Sequence, residues 1–336
     1  FSYLYDKERG LLLVSTRPDE NLESSCYDLL ASEARLTYFT AVALGKADKR
    51  IWYRLGRSCC KASGERPLAS WSGTMFEYLM PRILLTEPEG SLLSYSSRAA
   101  VTVQRKNAAR GGLWGISESC FYSFDETLDY RYKAHGVQSL ALGRLRSGEQ
   151  VISPYSSYLA LDVDPEGAIE NLLRFESAST VGKWGLYEAL DLTQGRGAGG
   201  KGAVVCCHMA HHLGMSIASV CNYLTGGELK KLFLSNSRIR AWQSLLAQRQ
   251  GLAGTLASQS LPYEVSPSRS VGRQCVAGDG LGIGLSDCCL LSNGLFSVVT
   301  DRSSRQSVRC GGAEVVENGL CWSVFEGDKE YPLAPL

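Results

Sequence analysis

Trp114-Gly115-Ile116-Ser117-Glu118-Ser119 and Trp184-Gly185-Leu186-Tyr187-Glu188-Ala189 interrupt a chain that otherwise reads as a succession of helical segments. Each presents one carboxylate among glycine, aromatic and small residues, a composition that builds a tight loop and points an acid into an aromatic-lined cleft. Pyranose rings stack on aromatic faces. Cleavage of a glycosidic bond needs two carboxyl groups on opposite sides of the anomeric carbon, one a proton donor and the other a nucleophile or base. A lone glutamate is most often a solvated surface acid. Two in matching settings make Glu118 and Glu188 the candidate catalytic pair, and neither context tells which is the more desolvated.

Outward from these loops, apolar spacing and cap signals predict helices over 74–85, 91–109, 155–162, 165–178, 202–224, 228–234 and 238–250. Pro165 after Asp164 is a helix start, because the missing amide would be unpaired there. Residues 1–4 and 11–15 read as a hairpin. Tyr27, Leu30, Ala34, Phe39 and Ala43 then fall near helical spacing, closed by Gly45. Helical pairs with Gly/Trp/Ser-rich loops between them predict a mainly α chain, an incomplete (α/α)6 barrel or toroid whose loops surround a cleft. The character changes near Gly251. Beyond it β-branched residues alternate with turn signals, as in Leu290-Leu291-Ser292-Asn293-Gly294-Leu295-Phe296-Ser297-Val298-Val299, where Asn-Gly is the hairpin dipeptide. Glu314-Val315-Val316-Glu317-Asn318-Gly319 repeats the idea. Residues 1–250 are therefore expected to form the helical domain, and 251–336 a linker and partial all-β sandwich.

The 336 residues are 44% hydrophobic and 21% charged with net charge +1, so no basic field points to a nucleic-acid partner. No apolar run reaches the roughly 20 residues of a membrane-spanning helix. The 12 cysteines include the adjacent pairs Cys59-Cys60, Cys206-Cys207 and Cys288-Cys289 and no CxxC spacing. They read as mostly buried thiols in a reducing, cytoplasmic setting. The chain opens on Phe1 in a strand-like phrase, the mark of a piece of something longer. Gly195-Arg196-Gly197-Ala198-Gly199-Gly200-Lys201 approaches a phosphate loop but has Gly202 where Ser or Thr should hold Mg²⁺, and no long strand feeds it. His208, His211 and His212 lack the glutamate of a zinc protease motif, Met209 standing in its place. Neither a metal nor another cofactor is expected.

Ser25-Cys26-Tyr27-Asp28-Leu29-Leu30-Ala31-Ser32-Glu33-Ala34-Arg35-Leu36, Ser70-Trp71-Ser72-Gly73-Thr74-Met75-Phe76-Glu77-Tyr78-Leu79-Met80-Pro81, the two glutamate loops, and Met209-Ala210-His211-His212-Leu213-Gly214-Met215-Ser216 resemble, in unbroken order, the glucoamylase-like central domain of the cyclic β-1,2-glucan synthases. Residues from about 262 onward are similar, more weakly, to the opening of the phosphorylase-type β-sandwich that follows in those proteins. The resemblance implies the (α/α)6 barrel and a retaining transglycosylase that closes linear β-1,2-glucan into a ring, with a β-1,2-glucan hydrolase as its neighbour in chemistry. It implies Glu118 as general acid/base and Glu188 as nucleophile. Asp28, Glu33, Arg35, Trp71, Glu77, His211 and His212 would form the substrate-facing shell or its support, and Trp114, Trp184 and Tyr187 would hold sugars and exclude water. Leu213 stands where the family commonly has Gln, and Cys120 where it has a small apolar residue. The resemblance also implies a parent carrying a membrane-embedded glycosyltransferase upstream, with this domain at the cytoplasmic face, and earlier helical hairpins without which the piece could be inactive alone. From another class, a non-catalytic carbohydrate-binding scaffold would bind glucan without turnover.

Overall fold

The computed structural model describes residues 3–15, 25–125, 129–142, 145–146, 149–194, 196 and 202–249, and beyond 250 the backbone of eight short strands. Helices dominate the first 250 positions. They are α1 (Arg35–Ala43), α2 (Arg50–Arg54), α3 (Met75–Leu79), α4 (Leu92–Lys106), α5 (Pro154–Ala160), α6 (Pro165–Ser177), α7 (Ala210–Thr225), α8 (Glu228–Ser235) and α9 (Ser237–Ala241). No helix among the described residues is long and apolar enough to cross a membrane.

Where caps were legible the predicted starts hold. The Ser91 side chain accepts from Ser94 N at the head of α4, and Asp164 from Gly167 N at the head of α6, each satisfying an amide that has no intrahelical partner. Thr74 and Glu77 form a reciprocal capping box on α3. Four predicted helices come out shorter, the 238–250 segment among them, which is α-helical only over Ser237–Ala241 and passes into a 3₁₀ turn, Gln243–Ala247. The 74–85 segment is helical only to Leu79 and passes into a 3₁₀ turn, Met80–Ile83, with Pro81 inside it. Ala203–Val205 is a strand, so the 202–224 helix begins at Ala210. Tyr27 belongs to the strand Cys26–Tyr27, and the periodic run begins its helix only at Arg35.

The principal core joins α1, α2, α3, α4 and α5 to Ile239, Leu245 and Leu246, with Tyr38, Phe39, Trp52, Met75 and Tyr78 fully buried. Phe39 meets Trp52 edge to face at 6.2 Å. Within the helical region α3 packs on α4 and α5, and α5 on α6 and α7. The hairpin expected over residues 1–4 and 11–15 has its first strand later, Tyr5–Asp6 pairing with Leu11–Leu13, and Cys26–Tyr27 adds a third strand.

Two further small sheets, not anticipated from sequence, carry the site. Ser119–Phe124 pairs antiparallel with Tyr130–Lys133, setting Cys120 opposite Tyr132. Ala189–Asp191 lies between Val151–Ile152 and Ala203–Val205, antiparallel to both. Strands of two to six residues are too short for alternation to announce them. Beyond residue 250, Ile283–Leu285, Cys288–Ser292, Phe296–Asp301, Gln306–Cys310 and Ala313–Val316 form an antiparallel meander in chain order. Cys288–Ser292 and Phe296–Asp301 flank the predicted Asn293-Gly294 turn, which itself lies outside the described residues. Ala313–Val316 pairs back with Gln306–Cys310, while Ser323–Glu326 pairs with Lys329–Pro332.

Candidate functional site

Side chains from three helices satisfy the backbone of the Trp114–Glu118 loop. Asn171 of α6 accepts from Trp114 N at 3.2 Å and donates to Trp114 O at 2.8 Å. Gln104 of α4 does the same for Ile116, at 2.9 and 2.8 Å. Tyr155 of α5 donates its hydroxyl proton to Glu118 O at 2.9 Å. Gly115 has φ +112°, and a Cβ there would lie 2.1 Å from Ser156 Oγ, so only glycine permits this approach to α5. Glu118 is thus delivered from a fixed base, immediately before the strand Ser119–Phe124.

The half-buried Glu118 lines a cleft of about 310 Å³ with Tyr27, Glu33, Trp71 and Glu77. Its carboxyl is pushed up to about 7, first by burial and then by the negative charge of Glu33, against the opposing hydrogen bond from Tyr132. A carboxyl in that range still holds its proton near neutrality, which proton donation requires. Glu33 accepts hydrogen bonds from Ser32 Oγ at 3.1 Å and from Tyr27. Burial and the Glu33 charge push the Tyr27 phenol up to about 12, so it stays a donor.

The remaining cleft residues are organised from below. Asp28 accepts from Trp71 Nε1 at 2.7 Å and fixes a tryptophan that is 45% exposed, a platform of the kind sugars stack on. Glu77 is buried and receives Trp71 N at 2.9 Å, Ser72 N at 3.1 Å, and Thr74 N and Thr74 Oγ1 at 2.9 Å each. It supports the loop, and burial raises its carboxyl despite those donors. Glu77→Ala should therefore cost about 2 kcal/mol or more, since three amides lose their acceptor and α3 loses its capping box. Urea unfolding measures the loss. Arg35 sits deeper, its side chain 1% exposed and paired with Glu87, beneath the cleft and away from its lining.

Glu188 is placed differently. It precedes the strand Ala189–Asp191, and its carboxylate is buried, held by His212 Nδ1 at 2.9 and 3.0 Å and by Cys120 N at 3.2 Å. It borders a second, largely apolar hollow of about 510 Å³ lined also by Tyr158, Trp184, Tyr187 and Met209. His212 stacks on Tyr155 with ring centroids 3.7 Å apart. Tyr132 lies between the two glutamates: its hydroxyl is 3.3 Å from Nε2 of both His211 and His212 and hydrogen-bonds Glu118. The structure thus connects Glu118 to Glu188 through two intervening side chains, while Glu33 shares the Glu118 cleft directly.

The aromatic expectations divide. Trp184 is 76% exposed at the tip of a hairpin with Lys183 Nζ 4.7 Å above its ring, and Tyr187 stacks with His208 at 5.5 Å. Trp114 does not line the cleft; at 2% exposure it belongs to the principal core, because Asn171 turns its peptide inward. Tyr132 and Tyr27 were missed as site residues: no sequence motif covers Tyr132, and Tyr27, inside the 25–36 phrase, read as a position of a helical face, whereas it lies in the strand Cys26–Tyr27. Of the glycine-rich 195–201 segment only Arg196 is described, bridging Asp191 and Glu149 in a buried ion-pair cluster. Among the described residues no group of three or more His, Cys, Asp or Glu could hold a metal ion.

Comparison with known proteins gives a consistent picture. The family described as "Putative glucoamylase" matches residues 25–237. Over 252 residues the chain is 41% identical to the cyclic beta-(1,2)-glucan synthase NdvB of Rhizobium meliloti (strain 1021), covering 74% of this chain and 9% of the length of that relative. Among solved structures, a glucoamylase-family protein from Bacteroides fragilis NCTC 9343 aligns with TM-score 0.51 at 18% identity over 70% of this chain and 58% of that one. An endo-beta-1,2-glucanase from Chitinophaga pinensis, in complex with sophorotriose and glucose, gives 0.49 at 17% identity over 70% and 59%. The Bacteroides fragilis likeness shows a shared helical fold.

Proposed function

This chain belongs to the glucoamylase-like family that matches residues 25–237, and from that premise we propose that it acts on β-1,2-linked glucan as a retaining transglycosylase. The observation that carries the reading is the protonated-range carboxyl of Glu118 beside the Glu33 carboxylate and the Trp71 platform in one cleft. The substrate comes from the 41% identity to a cyclic β-1,2-glucan synthase. The helices are read as part of an α/α toroid, with a domain boundary near residue 250.

Making a β-1,2 bond from a β-1,2 bond preserves the anomeric configuration, which takes two inversions and hence a glycosyl-enzyme intermediate. In the first step a carboxylate attacks the anomeric carbon while Glu118 gives its proton to the departing oxygen. In the second, Glu118 takes the proton of an incoming sugar hydroxyl, which displaces the carboxylate. We assign the attacking carboxylate to Glu33 in place of Glu188. A nucleophile needs an oxygen open to the sugar, and Glu33 lines the cleft, whereas both Glu188 oxygens are engaged by His212. Trp71, braced by Asp28, would hold the ring to be attacked, and Trp184 and Tyr187 the more distant sugars.

Incubation with linear β-1,2-glucan, followed by mass spectrometry, tests the assignment. The protein should yield products lighter by one water than linear chains of the same length, and Glu33→Gln should lose about a thousandfold or more in rate while leaving glucan binding intact. Binding without any turnover by the wild-type protein would favour the scaffold reading.

A further inference from the structure

Among the described residues the hydroxyl of Tyr132 links the Glu118 carboxyl to the histidines beside Glu188. Its place is set by strand register, Tyr132 standing opposite Cys120, whose own amide donates to Glu188 Oε1 at 3.2 Å. Resting on the reading of Glu118 as acid/base, we infer that Tyr132 is its positioning residue, a phenol whose proton reverses direction with the charge on Glu118 and which the Glu188–His212 pair holds ready.

The argument is one of donors and acceptors. A carboxylate only accepts, so His212 Nδ1, within 3.0 Å of both Glu188 oxygens, carries a proton. Its Nε2 is then free to be a lone pair, and stacking on Tyr155 fixes the ring plane. When Glu118 holds its proton, that O–H donates to the Tyr132 oxygen, and the phenol proton turns to His212 Nε2 at 3.3 Å. When Glu118 is ionised, Tyr132 donates to it, and the phenol oxygen accepts from the Nε2–H of His211, also at 3.3 Å. Both states of the Glu118 carboxyl therefore find a partner in Tyr132 without moving a heavy atom, and the ionised state leaves only the neutral His212 Nε2 lone pair without its donor. The other groups facing Glu118 are Glu33 and Glu77, whose charges oppose its ionisation, and Tyr27 and Tyr155, which burial keeps protonated. Among the neighbours that act on Glu118, Tyr132 favours the ionised form.

Tyr132→Phe keeps the ring and removes only the hydroxyl. With ¹³C-labelled glutamate, the NMR titration midpoint of Glu118 should rise by about one pH unit or more, the cost of losing one charge-assisted donor. The descending limb of the pH–rate profile should move with it, and kcat should fall with KM little changed. Glu188→Ala should move the same midpoint upward by loosening His212, and Glu188→Gln, which still accepts from Nδ1–H, should restore it. An unmoved midpoint in Tyr132→Phe overturns the inference, as does Glu188→Gln abolishing turnover as completely as Glu118→Gln with the midpoint unchanged. The titration needs no substrate: a shifted midpoint in a protein that leaves β-1,2-glucan untouched would reject the glucan reading and leave the positioning role standing.

Discussion

Glu118→Gln is expected to lower kcat by about a thousandfold, within the range that positioned proton transfer supplies, with little change in stability. Glutamine preserves shape, and the backbone that presents position 118 is fixed by Tyr155, Gln104 and Asn171 independently of the carboxyl. A β-glucoside whose leaving group departs without protonation should recover most of the loss in the first step, which separates a missing proton from a damaged cleft. The pH dependence has a defined sign. The Glu118 carboxyl is pushed up to about 7 by burial and by the Glu33 charge, and the acid must start protonated. The rate should then fall about tenfold per pH unit above about 7 and level off below it. Glu33→Gln should shift the titration midpoint of the Glu118 carboxyl, read by NMR without turnover, downward by removing a neighbouring negative charge. A profile flat between pH 6 and about 9 would reject Glu118 as the proton donor.

Arg35→Ala should be the most damaging single change to stability, by about 3–5 kcal/mol. The guanidinium is buried and spreads its donors over Ser32 O at 3.1 Å, Glu77 O at 2.7 Å, Tyr78 O at 2.5 Å and Glu87 Oε1 at 3.0 Å. Its removal leaves carbonyls of α3 unsatisfied and strips Glu87 of one of two positive neighbours, the other being Arg82. Lysine should not rescue, since one ammonium cannot reproduce the planar fork. Burial alone would raise the Glu87 carboxyl, but the Arg82 and Arg35 charges outweigh it and hold it below the usual range. A depressed folded-state pKa means that this stabilisation is fully present above the unfolded value, about 4.3 for glutamate, and is lost as pH falls through the folded one. Chemical denaturation across pH 3–7, an interval of about four units around that value, should show a shallower acid limb in Arg35→Ala. Because Arg35 grips the peptide of Glu77, which in turn holds Trp71, the variant should also lose glucan binding.

The chain by itself determined the helices whose starts are written locally, as at Ser91 and Asp164, and the presence of an acid at the end of each Trp-Gly segment. Such features depend on neighbours a few residues away, so periodicity and cap chemistry reveal them. Tertiary packing alone decided which acid faces which. It turned Trp114 inward, drew Arg35 beneath the cleft, set Glu33 beside Glu118, and tied Glu188 to His212. It also brought Tyr132, unmarked in sequence, between the two glutamates through the pairing of two short strands. A carboxylate's role follows from its desolvation and the charges around it, and those come from segments far apart along the chain that no local pattern can relate.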